Sequence, residues 1–217
     1  MSVEFLPRRW WAALKREWLI YHLGLPEFRF MFDAPPPNEW VSLDCETTGL
    51  NVGKDEIISI GAVRIVGNRI MTSERLELLV KPEHGVSPES VKIHRLRARD
   101  VENGLPIEEA MKQLMRFIGS RPLVGYYLEF DVAMVNKALF PMLGQGLPQP
   151  KIEVSGLYYD YKYRRQPAHT RQDAPQIDLR FDTLMRDLGL PLREAHDALN
   201  DAVMAALAFI KLRQLRD

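Results

Sequence analysis

Apolar residues along this chain change their period near position 40. Upstream, Trp10, Trp11, Leu14, Trp18, Leu19 and Tyr21 recur at roughly helical spacing, with Arg8, Arg9, Lys15 and Arg16 among them. The run Ala34-Pro35-Pro36-Pro37 then stops any helix and reads as a stiff linker. From Trp40 onward short apolar runs predict strands: 40–46, 56–66 and 69–80, the last two separated by Gly67-Asn68, a pair that favours an antiparallel hairpin. Ile107, Ala110, Met111, Leu114, Met115 and Ile118 share one helical face that Gly119 terminates. A fourth strand over 121–127 leads into a helix from about Asp131 to Leu143, and 151–155 suggests a short fifth strand. The segments 155–165, 178–189 and 198–215 read as helices. Strands that first pair and then alternate with helices predict an α/β domain, a mixed sheet covered by helices, over 39–217. Residues 1–38 form a helical N-terminal extension with its Pro-rich linker, expected to pack on the domain, to self-associate or to dock a protein partner.

Composition narrows the classes. The length of 217 residues suits one well-buried domain plus an extension. Lys and Arg total 29, as do Asp and Glu, so overall charge supplies no broad basic footprint for coating a duplex. A single cysteine, Cys45, excludes an internal disulfide and a cysteine-rich zinc site and suits a reducing cytoplasm. No apolar run approaches the roughly 20 residues needed to span a bilayer, and the charged start is a poor signal peptide. No membrane association and a cytoplasmic location are therefore expected.

The chemistry lies in a few carboxylates. If 43–47 is a strand, Asp44 and Glu46 project to one side and Cys45 to the other. Two acids on one face repel unless a cation lies between them; the bland alternative is a strand end pointing to solvent. Thr47, Thr48 and Gly49 add hydroxyls, backbone N–H groups and a turn, with Leu50 placed to lie against a base. Asp131 falls where a strand should pass into a helix, so it is either a ligand-site acid or a helix cap. His196 precedes a strongly helical run and Asp201 sits about a turn inside it, with Asp197 as a candidate cap. His22, His84 and His169 read as surface or structural residues, and His94 carries no assigned role.

These segments resemble the DEDDh 3′–5′ exonucleases, and within them the DNA polymerase III epsilon-subunit type. The first motif is Asp44-Cys45-Glu46-Thr47-Thr48-Gly49, the second Phe130-Asp131, and the third runs from His196 to Asp201. The histidine five residues before the last aspartate marks the "h" branch. The resemblance covers about 40–215 and implies a ribonuclease H-like fold with a five-stranded mixed sheet flanked by helices. It also implies that Asp44 bridges two ions, that Glu46 and Asp201 hold the one at the attacking water, that Asp131 supports the second, and that His196 is the general base. All-oxygen ligands suit Mg²⁺ or Mn²⁺ rather than zinc, and a paired-ion site clamps the attacking and leaving oxygens of an in-line displacement. An imidazole with an unperturbed pKa near 6.5 is suited to take a proton from water at neutral pH.

Two departures from the family shape the expectation. Where relatives often carry His-Asn before the second motif, this chain reads Gly125-Tyr126-Tyr127-Leu128-Glu129. No obvious tail for a polymerase or clamp follows the third motif, so a free-standing or differently partnered nuclease is expected. Tyr127, with Tyr126 and the aromatics of 158–165, is a candidate stacking partner for unpaired bases. The expected function is hydrolysis from the free 3′ end of single-stranded DNA, releasing 5′-mononucleotides. An exoribonuclease or oligonucleotide-degrading enzyme is the near alternative, and a catalytically silent nucleotide-binding module the distant one.

Overall fold

The computed structural model describes residues 5–86, 90–91, 95–167, 177–193 and 197–215. Three long strands, β1 (Glu39–Thr47), β2 (Ile57–Val66) and β3 (Arg69–Leu79), form an antiparallel meander. Gly67, at φ +59°, makes the β2–β3 turn the sequence predicts. Two short strands, β4 (Leu123–Gly125) and β5 (Lys151–Glu153), add in parallel, and the order across the sheet is β3-β2-β1-β4-β5. The sheet is thus mixed and five-stranded, as expected.

The helices are α1 (Phe5–Tyr21), the short α2 (Ala98–Val101), α3 (Ile107–Ile118), α4 (Leu128–Leu143), α5 (Val154–Arg165), α6 (Phe181–Asp187) and α7 (Ala198–Gln214). A 3-10 helix spans Pro26–Phe32. Period-two alternation sends the two faces of β1 into different environments. Val41, Leu43 and Cys45 join one core layer with α3 and α4, while α7, α5 and α6 pack over Val63, Ile65 and Val124 on the other. The latter part of the extension is built into the first layer: Leu23, Phe28 and Met31 are buried there, and Gln149 Nε2 donates to Gly119 O (2.6 Å) and Met31 O (3.4 Å). Among the described residues no helix is long and apolar enough to cross a membrane.

One glycine decides where α7 lies. A Cβ on Gly61 of β2 would come within 2.2 Å of the backbone at Ala198 and Leu199, so only glycine lets the start of α7 rest on the sheet. Gly61 is the register partner of Asp44. The close approach therefore brings the first turn of α7 directly over the acid strand.

Candidate active site

The consequence is a carboxylate cluster. Asp44 and Glu46, from one face of β1, and Asp201, the fourth residue of α7, each offer an oxygen within 4.8 Å of the others. Asp197 caps α7, its carboxylate accepting the Asn200 N–H at 2.9 Å, so the cap and the cluster acid have separate tasks. Asp131 arrives from the opposite layer. It is buried at 4% exposure, and its Oδ1 accepts the Cys45 N–H at 3.0 Å.

Asp131 is not the helix cap. The helix expected from 131 begins at Leu128, and its N-cap is Tyr127, whose backbone is left-handed at φ 55°. Glu153 substitutes for a local cap: its carboxylate accepts Tyr127 N (3.1 Å) and Leu128 N (2.9 Å) and also both Ser155 donors. A left-handed backbone costs a non-glycine residue roughly 1–2 kcal/mol, and Glu153 holds it in place from another element.

Crowding governs the electrostatics. Burial, then the charges of Asp131, Asp201, Glu46 and Asp197, raise the Asp44 carboxyl well above the usual carboxylate range. Burial, then Asp201 and Asp197, push Glu46 up to about 7. Asp131 is raised to about 8, chiefly by burial, against the lowering effect of the Cys45 N–H bond. Burial also raises the Cys45 thiol, which is inert and core-facing. Together with Asp201 these three acids form a donor set of hard oxygens, and this fits divalent metal ions.

A cleft of 490 Å³ opens beside Asp44 and Asp201, walled by Tyr126, Phe181, Leu192 and Met204, with Arg180 and Arg193 at its sides. Tyr126 is part of this wall rather than a free stacking ring: it stacks on Phe181 at 4.4 Å and donates to Leu179 O at 2.8 Å. Tyr127 is 67% exposed and meets Tyr126 edge-on at 5.0 Å. The aromatics of 158–165 are not a free platform either. Tyr158 is buried and donates to Asp187 Oδ2 at 3.0 Å, while Tyr159 and Tyr163 stack on each other.

The turn at 47–50 uses its hydroxyls on itself. Thr47 donates to Gly49 O at 2.7 Å. Thr48 donates to Asp55 Oδ1 at 3.1 Å and accepts the Glu56 N–H at 3.0 Å. Asp55 Oδ2 accepts the Asn51 N–H at 2.7 Å, and the Asp55 carbonyl accepts from Lys137 of α4 at 2.8 Å. A Cβ on Gly49 would lie 2.6 Å from the Asp55 carboxylate. Leu50 stands at the tip, 84% exposed.

The structure thus brings together Asp44, Glu46, Asp131 and Asp201. His196 lies outside the described residues, as do His94 and His169. Sequence reasoning missed Gly61, Asp55, Glu153, Arg180 and Arg193. The signal for Gly61 was available, because a lone glycine inside a strand pattern marks a close backbone approach. Asp55 and Glu153 act through contacts that no local pattern shows.

A mixed sheet with an acid cluster on its central strand defines a ribonuclease H-like, metal-dependent phosphodiesterase class. The family model for the RNase T exonucleases matches residues 41–209, and the chain belongs to that family. The DEDDh kind of 3′–5′ exonuclease fits it. Relatives include the DNA polymerase III epsilon subunit of Aquifex aeolicus, 29% identical over 80% of this chain and 79% of that protein. The PolC-type DNA polymerase III of Caldanaerobacter subterraneus is 30% identical over 87% of this chain, and that of Thermotoga maritima 28% over 81%. This chain spans only 12% of either PolC-type polymerase. Among solved structures, the E. coli exonuclease I–single-stranded DNA complex superposes with a TM-score of 0.68 at 17% identity, over 84% of this chain and 41% of that one. Exonuclease X bound to 5′-overhanging duplex DNA gives 0.58 at 22%, over 81% and 91%. At those identities the likeness is one of fold.

Proposed function

We propose that this chain removes nucleotides one at a time from the free 3′ end of single-stranded DNA, releasing 5′-mononucleotides. The observation that carries the reading is the cluster of Asp44, Glu46 and Asp201, with Asp131 behind it, at the mouth of a cleft. Asp44, Glu46, Asp131 and Asp201 would hold two Mg²⁺ or Mn²⁺ ions, which when bound supply positive charge to the phosphate and to the developing oxyanions. His196, five residues before Asp201, takes the proton of the attacking water. Thr47, Thr48, Gly49 and Leu50 form the turn against which the terminal nucleotide lies, and Leu50 and Tyr127 offer exposed apolar surface to bases. Arg193 and Arg180, the latter paired with Asp178 at 2.7 Å, are the basic groups of the cleft. The solved exonuclease I complex with single-stranded DNA supports the choice of strand.

The proposal places the enzyme in the cytoplasm, in keeping with the lone, buried Cys45. Residues 1–38 precede the nuclease domain of 39–217, their latter part packed into its core, and carry its contact with a protein partner or a second copy.

Matched 3′-labelled and 5′-labelled DNA and RNA strands, with Mg²⁺, Mn²⁺ or EDTA, test this. Single mononucleotides released from the 3′ end, blocked by EDTA, are expected. A 3′-phosphate should slow the reaction, and a covalently closed single-stranded circle should survive. Rapid cutting of the circle or full activity in EDTA overturns the reading, and faster turnover of RNA assigns the enzyme to ribonucleotide ends.

A further inference from the structure

Helix α1 has two apolar faces, and only one of them is used. Its C-terminal half is tied to the body by Arg16 Nε donating to Phe32 O at 2.8 Å and Gln145 Nε2 donating to Leu19 O at 2.9 Å. Gly24 N donates to Leu143 O at 3.0 Å just beyond it. On the far side Trp11 (72% exposed), Leu14 (58%), Trp18 (60%) and Tyr21 (85%) form a continuous stripe. Isolated exposed apolar residues need no explanation, but a contiguous stripe of three aromatic rings and a leucine marks a contact surface. None of the candidate site residues lies on α1.

We propose that this stripe is the seam of a parallel homodimer in which α1 of one copy packs along α1 of another. Three observations select a second copy. The intervals are three, four and three residues, the a/d repeat of a two-stranded coiled coil, and a seam this narrow suits a facing helix better than a lipid surface. Three aromatic rings of about 200 Å² each, exposed to those extents, and Leu14 offer about 500 Å² per copy. Two copies therefore bury about 1,000 Å², the size at which a specific interface begins.

The flanks supply the third observation. Lys15 and His22 border the stripe on one side and Glu17 on the other, all three exposed. A parallel pairing sets one helix's Glu17 flank beside the other's Lys15 and His22 flank, whereas an antiparallel pairing opposes like flanks. A symmetric interface of this kind is self-complementary and closes at two copies. The seam is also ordered in advance. The Trp18 and His22 rings lie 4.3 Å apart, Tyr21 meets His22 edge-on at 5.1 Å, and His22 Nδ1 bonds Trp18 O at 2.8 Å.

Sedimentation velocity on the full chain from about 1 to 100 µM tests the proposal. A concentration-dependent dimer is expected, abolished in Trp11→Glu/Trp18→Glu with helical content and nuclease rate per active site unchanged. Leu14→Glu, which spares every ring, should also give monomer. Leu14→Cys should form a disulfide with its own copy under mild oxidation, because a parallel seam places residue 14 opposite residue 14. A wild-type monomer at 100 µM overturns the proposal, as does a dimer that survives the glutamate substitutions. A monomer that binds vesicles of anionic lipid also overturns it and assigns the stripe to a membrane surface. A dimer in which Leu14→Cys fails to cross-link overturns the parallel seam.

Discussion

Replacing Glu46 with glutamine should stabilise the metal-free protein at alkaline pH and leave it unchanged in acid. The folded chain holds the Glu46 proton up to about pH 7, against 4.5 for an unperturbed glutamate, because burial and the charges of Asp201 and Asp197 oppose ionisation. Below 4.5 the carboxyl is protonated in both states, and the folded state has its full stability. Between 4.5 and 7 the unfolded chain gives up the proton while the folded chain keeps it, so stability falls as pH rises. One pH unit corresponds to about 1.4 kcal/mol, so the loss across this window amounts to about 3 kcal/mol. Asp131, raised to about 8, and Asp44, raised well above its usual range, extend the decline in the same direction.

Glutamine keeps the shape of Glu46 and removes its titration. The difference between Glu46→Gln and wild type should be near zero at pH 4.5. It should grow to at most about 3 kcal/mol by pH 8, since the mouth of the site admits some water. For a chain of this size that is up to about 6–12 °C in melting temperature. Differential scanning calorimetry in EDTA, from pH 4.5 to 8, measures it directly. Adding Mg²⁺ or Mn²⁺ at pH 8 should restore wild type by mass action, about 2.7 kcal/mol at a hundredfold excess over Kd, and restore the variant less. Equal stabilities of the two proteins at every pH in EDTA, or a variant less stable than wild type at pH 8, would refute the reasoning.

Two further outcomes are expected. His196→Ala should slow turnover by about 10²–10⁴-fold, the usual worth of a positioned general base, while the thermal gain from added metal stays at the wild-type level. Wild-type turnover under chemistry-limited conditions would remove His196 from the mechanism. Gly49→Ala should raise KM for single-stranded DNA about tenfold and cost about 1–3 kcal/mol by overpacking against Asp55. In an Asp55→Ala background the same methyl should be tolerated, and stability effects that add within about 0.5 kcal/mol would deny the contact.

How much of this was legible in the sequence depends on the range of the interactions involved. Asp44, Glu46 and Cys45 were placed on their correct faces because side-chain alternation is local and has a period of two residues. The hairpin at Gly67-Asn68 and the termination at Gly119 were equally local. The start of α4 was misplaced by three residues because its cap, Glu153, lies 25 and 26 residues beyond the amides it serves. No propensity favours Tyr127 in a left-handed conformation, and only that distant carboxylate explains it. The tyrosines of 158–165 looked like a stacking surface because composition does not show which ring meets the core, and α7 with α6 buries Tyr158.

The crowded acids also show what the fold does and does not supply. Asp131 and Asp201 are each the fourth residue of a helix, so the N-terminal ends of α4 and α7 both point their partial positive charge at the end of β1. A helix N-terminus favours a nearby carboxylate by about 0.3–1 kcal/mol, up to about 2 when partly buried. Two such ends supply a few kcal/mol at most. Bringing four carboxylates together costs more than this, and the balance appears as the raised titration of Asp44, Glu46 and Asp131. The Cys45 N–H of β1 donates to Asp131 at 3.0 Å, and its lowering effect is smaller than the raising effect of burial. Dipoles and backbone amides thus offset only part of the crowding. The remaining repulsion is of the kind that bound divalent ions relieve, because an ion among Asp44, Glu46 and Asp201 turns oxygens that oppose one another into ligands of one charge.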